Sequence, residues 1–133
     1  HCGDFVSPFA MRPFSELKAR FIGVLGNNEG EYILLSKIIK SFGELHSPPH
    51  LEIISGKRFL VSHELIEDKE LIEYKPPIDY FIYGHTHQPE YRELNGTKII
   101  NPGECCGWLY NKATIGILDL TTDKYENIRL LSD

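Results

Sequence analysis

One stretch fixes much of what this chain can become: Asp79-Tyr80-Phe81-Ile82-Tyr83-Gly84-His85-Thr86-His87. Aromatic and β-branched residues in a short apolar run favour a buried strand. The glycine after them marks where that strand stops. Two histidines follow at i and i+2. In extended backbone, residues two apart project the same way, so the spacing predicts both imidazoles facing one point. The pattern of apolar run and polar tip recurs. Asp4 follows Gly3, Asn27 follows Phe21-Ile22-Gly23-Val24-Leu25-Gly26, and His63 follows Leu60-Val61-Ser62.

The rest of the chain reads around these runs. Ser7-Pro8 suits a helix start, interrupted or restarted at Pro13. A strand over 21–25 ends in the oxygen-rich turn Gly26-Asn27-Asn28-Glu29-Gly30, where Glu29 reads as a turn or capping residue. Leu34, Ile38 and Phe42 lie four apart with Leu35 and Ile39 beside them, which predicts an amphipathic helix over 31–42 stopped near Gly43. Residues 45–50, with Pro48 and Pro49, read as loop. Strands over 51–54 and 57–62 meet at Ser55-Gly56, and a helix over 64–74 stops at Pro76-Pro77. Strands over 90–94 and 97–100 flank Asn95-Gly96, a strong hairpin signal. Strands over 113–120 and 125–131 close around Thr122-Asp123. Strands alternating with helices, then hairpins, predict an α/β fold with a mixed sheet or two packed sheets and helices outside. The length predicts one domain over residues 1–133. His46 and His50 read as solvated, Cys105 and Cys106 as packing residues, and Trp108 and Tyr110 as core rather than the wall of a cleft.

Charge narrows the function classes. The net charge of −5, with signs interspersed, argues against broad nucleic-acid binding, which needs clustered Lys and Arg. It leaves open a phosphate ester held through metal ions. No apolar run approaches the ~20 residues of a membrane helix, and no basic-then-apolar leader opens the chain. The three cysteines, two of them adjacent, make a poor disulfide framework. They predict a reduced, cytoplasmic setting. Oligomeric state is not readable.

Gathering the polar tips gives Asp4, Asn27, His63, His85 and His87. One carboxylate, one amide oxygen and three imidazoles suit a hard-to-borderline divalent cation. Loops at the carboxyl ends of α/β strands converge, so such tips can meet. A carboxylate can bridge two ions, and paired ions about 3.5–4 Å apart suit in-line displacement at phosphorus. Metal-bound water becomes hydroxide near neutral pH and supplies a nucleophile.

In this order, Gly3-Asp4, Gly26-Asn27-Asn28-Glu29, His63 and Gly84-His85-Thr86-His87 resemble the calcineurin-like metallophosphoesterases. Asn101-Pro102-Gly103-Glu104-Cys105-Cys106-Gly107 and Thr114-Ile115-Gly116-Ile117-Leu118-Asp119 look closest to their small bacterial and archaeal phosphodiesterase branch. The resemblance implies a four-layer α/β/β/α sandwich with two packed mixed sheets. It implies hydrolysis of a small phosphodiester by a metal-bound hydroxide at a two-metal site, with manganese first and nickel, iron or zinc also suited. By position, Asp4 would bridge the two metals, Asn27, His63 and His85 would complete the set of ligands on the second metal, and His87 would bind the first.

Two departures from the family pattern stand out. The family opens with Asp-x-His at the end of its first strand, whereas this sequence starts at His1 and has its only methionine at Met11. The expectation is that the first strand, its helix and those two ligands are missing from the chain as given. Asn28 stands where many relatives carry His. It can contact the phosphate or leaving group but cannot deliver a proton, which favours substrates with good leaving groups. The competing expectation is a weak or inactive scaffold for protein–protein interaction, like the retromer subunit of this fold.

Overall fold

Side-chain alternation along three short parallel runs builds the centre of the molecule. The structure, a computed structural model, describes residues 1–130. Two 3₁₀ turns, Pro8–Met11 and Pro13–Glu16, precede β1 (Phe21–Val24), α1 (Tyr32–Ile39), β2 (Gly43–His46), β3 (His50–Ile54), β4 (Lys57–Val61), α2 (Asp68–Glu73) and β5 (Tyr80–Ile82). Then follow β6 (Glu90–Leu94), β7 (Thr97–Asn101), β8 (Thr114–Asp119) and β9 (Lys124–Arg129). The expected end of the last strand, at residue 131, lies outside the described residues.

The main sheet has the order β3-β4-β5-β7-β6. Strands β4, β5 and β7 run parallel, in a register that aligns Phe59 with Tyr80, Leu60 with Phe81 and Ile99, and Val61 with Ile82 and Ile100. Successive side chains point to opposite faces. Leu60, Phe81 and Ile99 therefore pack on one face with Leu71 of α2 and with Ile78 and Tyr83. Phe59, Tyr80 and Ile100 fill the other, against Leu118, Leu120 and Tyr125 of the β8–β9 hairpin. A third cluster joins Phe21 of β1 to Leu35 and Ile39 of α1, and to Phe5 and Met11 near the start.

The expected α/β class, with packed sheets and helices outside them, is borne out. The described strands form three hydrogen-bonded sheets, of two, five and two strands. Several local readings need correction. Residues 43–46, read as helix end and loop, form β2 in parallel pairing with β1. All four are half-buried, so they carry no apolar alternation to read. Gly43 is needed there because a Cβ would come 2.7 Å from Phe21 Cβ. The helix expected over 64–74 covers only Asp68–Glu73. Trp108 and Tyr110 are exposed rather than core, and Cys105 and Cys106 are exposed rather than packed. His46 and His50 stack face to face at 3.6 Å between centroids and are half-buried, not solvated.

Candidate metal centre

Parallel neighbours end on the same side, so the polar tips after β4 and β5 are brought together by the sheet itself. The ladder runs on past the strands. Ser62 N–H donates to Ile82 O at 2.9 Å, and Gly84 N–H donates to His63 O at 3.0 Å. Asn101, fully buried at the end of β7, donates through Nδ2 to Gly84 O (2.8 Å) and to Thr86 Oγ1 (3.0 Å), which fixes the bend carrying the two histidines. From the other side, His1 runs beside β1: its terminal amine donates to Ile22 O and its carbonyl accepts from Val24 N–H. This brings Gly3-Asp4 against the Gly26-Asn27 turn, so closely that a Cβ on Gly3 would lie 2.6 Å from Gly26 N.

Four of the five sequence-predicted ligands converge. Asn27 Oδ1 lies 2.7 Å from His63 Nε2 and 3.0 Å from His85 Nδ1. Those two ring nitrogens are 3.1 Å apart. Asp4 Oδ1 is 3.5 Å from His63 Nε2 and accepts from Asn28 N–H at 2.8 Å. His63 is 3% exposed, whereas Asn27, Asn28 and His85 face solvent, so the centre is open on one side. A cleft of ≈ 520 Å³ opens beside Asn27 and His63, with Pro48, Pro49, Leu65 and Glu64 in its wall.

The backbone that carries His85 and His87 corrects the extended geometry expected there. Side chains at i and i+2 point the same way only in extended backbone. Instead His85 (φ 60°) and His87 (φ 61°) both take left-handed backbone, and Thr86 N–H donates to Gly84 O at 2.6 Å. The two rings have different neighbours. His87 Nδ1 lies 3.5 Å from Glu104 Oε2. Asp4 is left-handed too (φ 57°). Backbone of this kind is uncommon outside glycine, and it concentrates where function requires it.

Two residues with larger roles than the sequence suggested hold the centre. Glu29 accepts from Gly26 N–H (2.6 Å), Phe5 N–H (2.9 Å) and Asp4 N–H (3.1 Å), pinning the aspartate loop to the asparagine turn. Glu104, buried, accepts from Trp108 N–H (2.7 Å), Leu109 N–H (3.0 Å) and the Cys106 thiol (2.8 Å). Burial pushes its carboxyl up, but these donors together with His87 bring it below the usual carboxylate range. Its position just past the Asn101-Pro102-Gly103 strand end was the available signal.

The donor chemistry fits a cation. His63 Nδ1 lies 2.7 Å from Cys2 O, a pure acceptor, so the neutral ring carries its proton there. Nε2 then presents a lone pair to Asn27 Oδ1, another acceptor, with His85 Nδ1 beside it. Converging lone pairs repel unless a proton or a cation sits among them. Among the described residues, no three His, Cys, Asp or Glu side chains alone form a metal-holding group. The cluster depends on the amide of Asn27.

Residues 1–123 match the calcineurin-like phosphoesterase superfamily domain. The chain belongs to this superfamily. A phosphodiesterase of Methanocaldococcus jannaschii is 38% identical to this metallophosphoesterase over 133 residues, covering 98% of this chain and 80% of the relative. The solved structure of an archaeal phosphodiesterase superposes with a TM-score of 0.87 at 36% identity, over 98% of this chain and 81% of that one. More distant likenesses share the fold alone. A single-site variant of Vps29 from Entamoeba histolytica gives a TM-score of 0.57 at 15% identity, over 98% of this chain and 93% of that one. The phosphoesterase Yfce of E. coli gives 0.53 at 16%, over 93% and 70%. No helix among the described residues of this metallophosphoesterase is long and apolar enough to cross a membrane.

Proposed function

We propose that this protein is a phosphodiesterase whose centre holds two divalent cations, manganese first among the candidates. Asp4, Asn27, His63 and His85 would hold one ion, and Asp4 together with His87 would hold the other. The observation that carries this reading is the meeting of His63 Nε2, His85 Nδ1 and Asn27 Oδ1 within 2.7–3.1 Å. When bound, such ions acidify water to supply a nucleophile and neutralise charge on the phosphoryl oxygens.

The chain's own residues do the positioning. Cys2 O, an acceptor, favours the His63 tautomer with its N–H on Nδ1, which turns the Nε2 lone pair toward Asn27 and His85. Asn28 N–H orients the Asp4 carboxylate. The Asn28 side chain can donate a hydrogen bond to the phosphate or leaving group but delivers no proton. Diesters with acidic leaving groups are therefore the favoured substrates. The cleft beside Asn27 and His63 accepts one ester arm of a small substrate. Residues 1–133 act as one domain on this reading. The unpaired cysteines support a reducing, cytoplasmic setting.

The test is turnover of bis(p-nitrophenyl) phosphate with added Mn²⁺, paired with calorimetric titration of the metal. Wild-type protein should bind the ion and cleave the diester. His85→Ala should lose both, with its far-ultraviolet spectrum retained. Metal bound without turnover would move the reading to a non-catalytic interaction scaffold.

A further inference from the structure

Resting on the phosphodiesterase reading, we infer that the loop over residues 105–112 is a stacking platform for a planar aromatic ester arm of the substrate, with Trp108 as its main contact. The loop has a fixed base and a bare tip. Glu104 holds it from beneath by accepting from the Trp108 and Leu109 N–H groups and the Cys106 thiol. Gly107 takes φ 69°, and a Cβ there would come 2.7 Å from Ala113 N. Trp108 is nonetheless 85% exposed and Tyr110 48%. Large aromatic groups on held backbone bind with little further ordering, because few torsions remain to freeze.

Two tethers place this loop beside the metal centre. Gln88, next to His87 in sequence, donates through Nε2 to the Tyr110 hydroxyl at 2.9 Å. Glu104, which holds the Trp108 backbone, also lies 3.5 Å from His87 Nδ1. A diester with its phosphoryl group at the centre thus has one arm on the side of this loop. The other arm lies on the side of the cleft walled by Pro48, Leu65 and Glu64. The π-face of a ring is what an exposed indole and phenol recognise, and such stacking is tolerant of ring identity. An aryl group and a nucleobase share that chemistry.

Three diesters with one common, ring-free leaving group separate these cases: hexafluoroisopropyl esters of methyl phosphate, phenyl phosphate and thymidine 5′-phosphate, with release followed by fluorine NMR. The phenyl and thymidyl substrates should exceed the methyl one in kcat/KM by about tenfold or more, the range expected for one stacked ring. Trp108→Ala should collapse that ratio, and Trp108→Phe should restore most of it. An excess for phenyl alone assigns the platform to aryl groups; an excess for both extends it to nucleosides. Trp108 is the only tryptophan, so intrinsic fluorescence reads it directly. Phenylphosphonate should quench it where methylphosphonate does not, and this readout needs no turnover. Equal ratios in wild type and Trp108→Ala, with diesters still cleaved, would overturn the platform and leave the phosphodiesterase reading standing. Self-association lost in Trp108→Ala, with the ratio unmoved, would overturn it in favour of contact between copies. Quenching by phenylphosphonate without cleavage of any diester would keep the platform and sink the activity.

Discussion

His87 Nδ1 lies 3.5 Å from Glu104 Oε2, while His85, two residues earlier, joins Asn27 and His63 instead. A carboxylate beside one nitrogen of a ligating histidine holds the proton there and leaves the other nitrogen free for a metal. Glu104→Gln should disturb this. An amide nitrogen facing Nδ1 would favour the opposite tautomer and put a proton on Nε2, the nitrogen proposed to take the metal. We expect metal affinity at the His87 side to fall by about 10–100-fold, the usual effect of losing such a partner. Histidine ¹⁵N shifts of the metal-free protein should show His87 changing tautomer. If affinity falls while the tautomer stays, Glu104 acts only by holding the loop.

Glu29 receives three backbone N–H groups from two separate loops, those of Gly26, Asp4 and Phe5. Glu29→Ala strands these donors where water reaches only in part. An unmet buried donor costs roughly 1–3 kcal/mol, so the loss should be on the order of 2–4 kcal/mol by urea denaturation. Glu29→Gln keeps one acceptor oxygen and should lose less. Equal stability of all three proteins would mean that the aspartate loop is held by other contacts.

Glycine positions give a sharper contrast. A Cβ on Gly26 would collide with both the backbone N and the carboxylate of Asp4, and would sit 3.0 Å from His63 Cε1. Gly26→Ala should therefore displace Asp4 and weaken metal binding by more than tenfold, an estimate that assumes the loss of one charged ligand at about 1.4 kcal/mol or more. A Cβ on Gly56 would meet nothing within 4 Å, although its φ of 78° is left-handed. Gly56→Ala should cost only ~1 kcal/mol of backbone strain and leave metal binding intact. Similar metal affinities in the two variants would refute the packing argument.

These contrasts show what the sequence could convey. The tips at Asn27, His63 and His85 were readable because each follows a short apolar run, and parallel pairing of β4 with β5 brings such ends together. Asp4, preceded only by His1-Cys2-Gly3, was readable through its place in the family's motif order. The direction of His87 was not readable. It depends on left-handed backbone at residues 85 and 87, which spacing does not encode. β2 was hidden because a half-buried strand beside β1 needs no alternation. Trp108, read as core rather than cleft wall, is exposed. Its exposure is set by Glu104 gripping the loop from below, a contact four residues away that only the fold reveals.

Alkaline pH probes the second core face. Tyr80 is buried there, its hydroxyl donates to Asp123 Oδ1 at 2.6 Å, and Asp123 also pairs with Lys98. Burial, then the hydrogen bond to Asp123, pushes the Tyr80 phenol up to about 12. Tyr83, buried and bonded to Glu90, is likewise pushed up to about 12. In the unfolded chain both phenols titrate near 10. Because the folded values are higher, the unfolded chain loses protons first as pH rises. The stability these phenols contribute is therefore full below about pH 10 and is lost as pH climbs toward about 12. Urea midpoints should hold steady up to about pH 9 and fall beyond about pH 10. Phenolate absorbance should show a late component from Tyr80 and Tyr83, with Tyr125 raised in the same direction by burial. Asp123→Asn removes the carboxylate but not the burial, so the Tyr80 phenol should come part of the way back and the alkaline loss should shrink. All tyrosines titrating together near the ordinary value would show that water reaches both faces of the sheet.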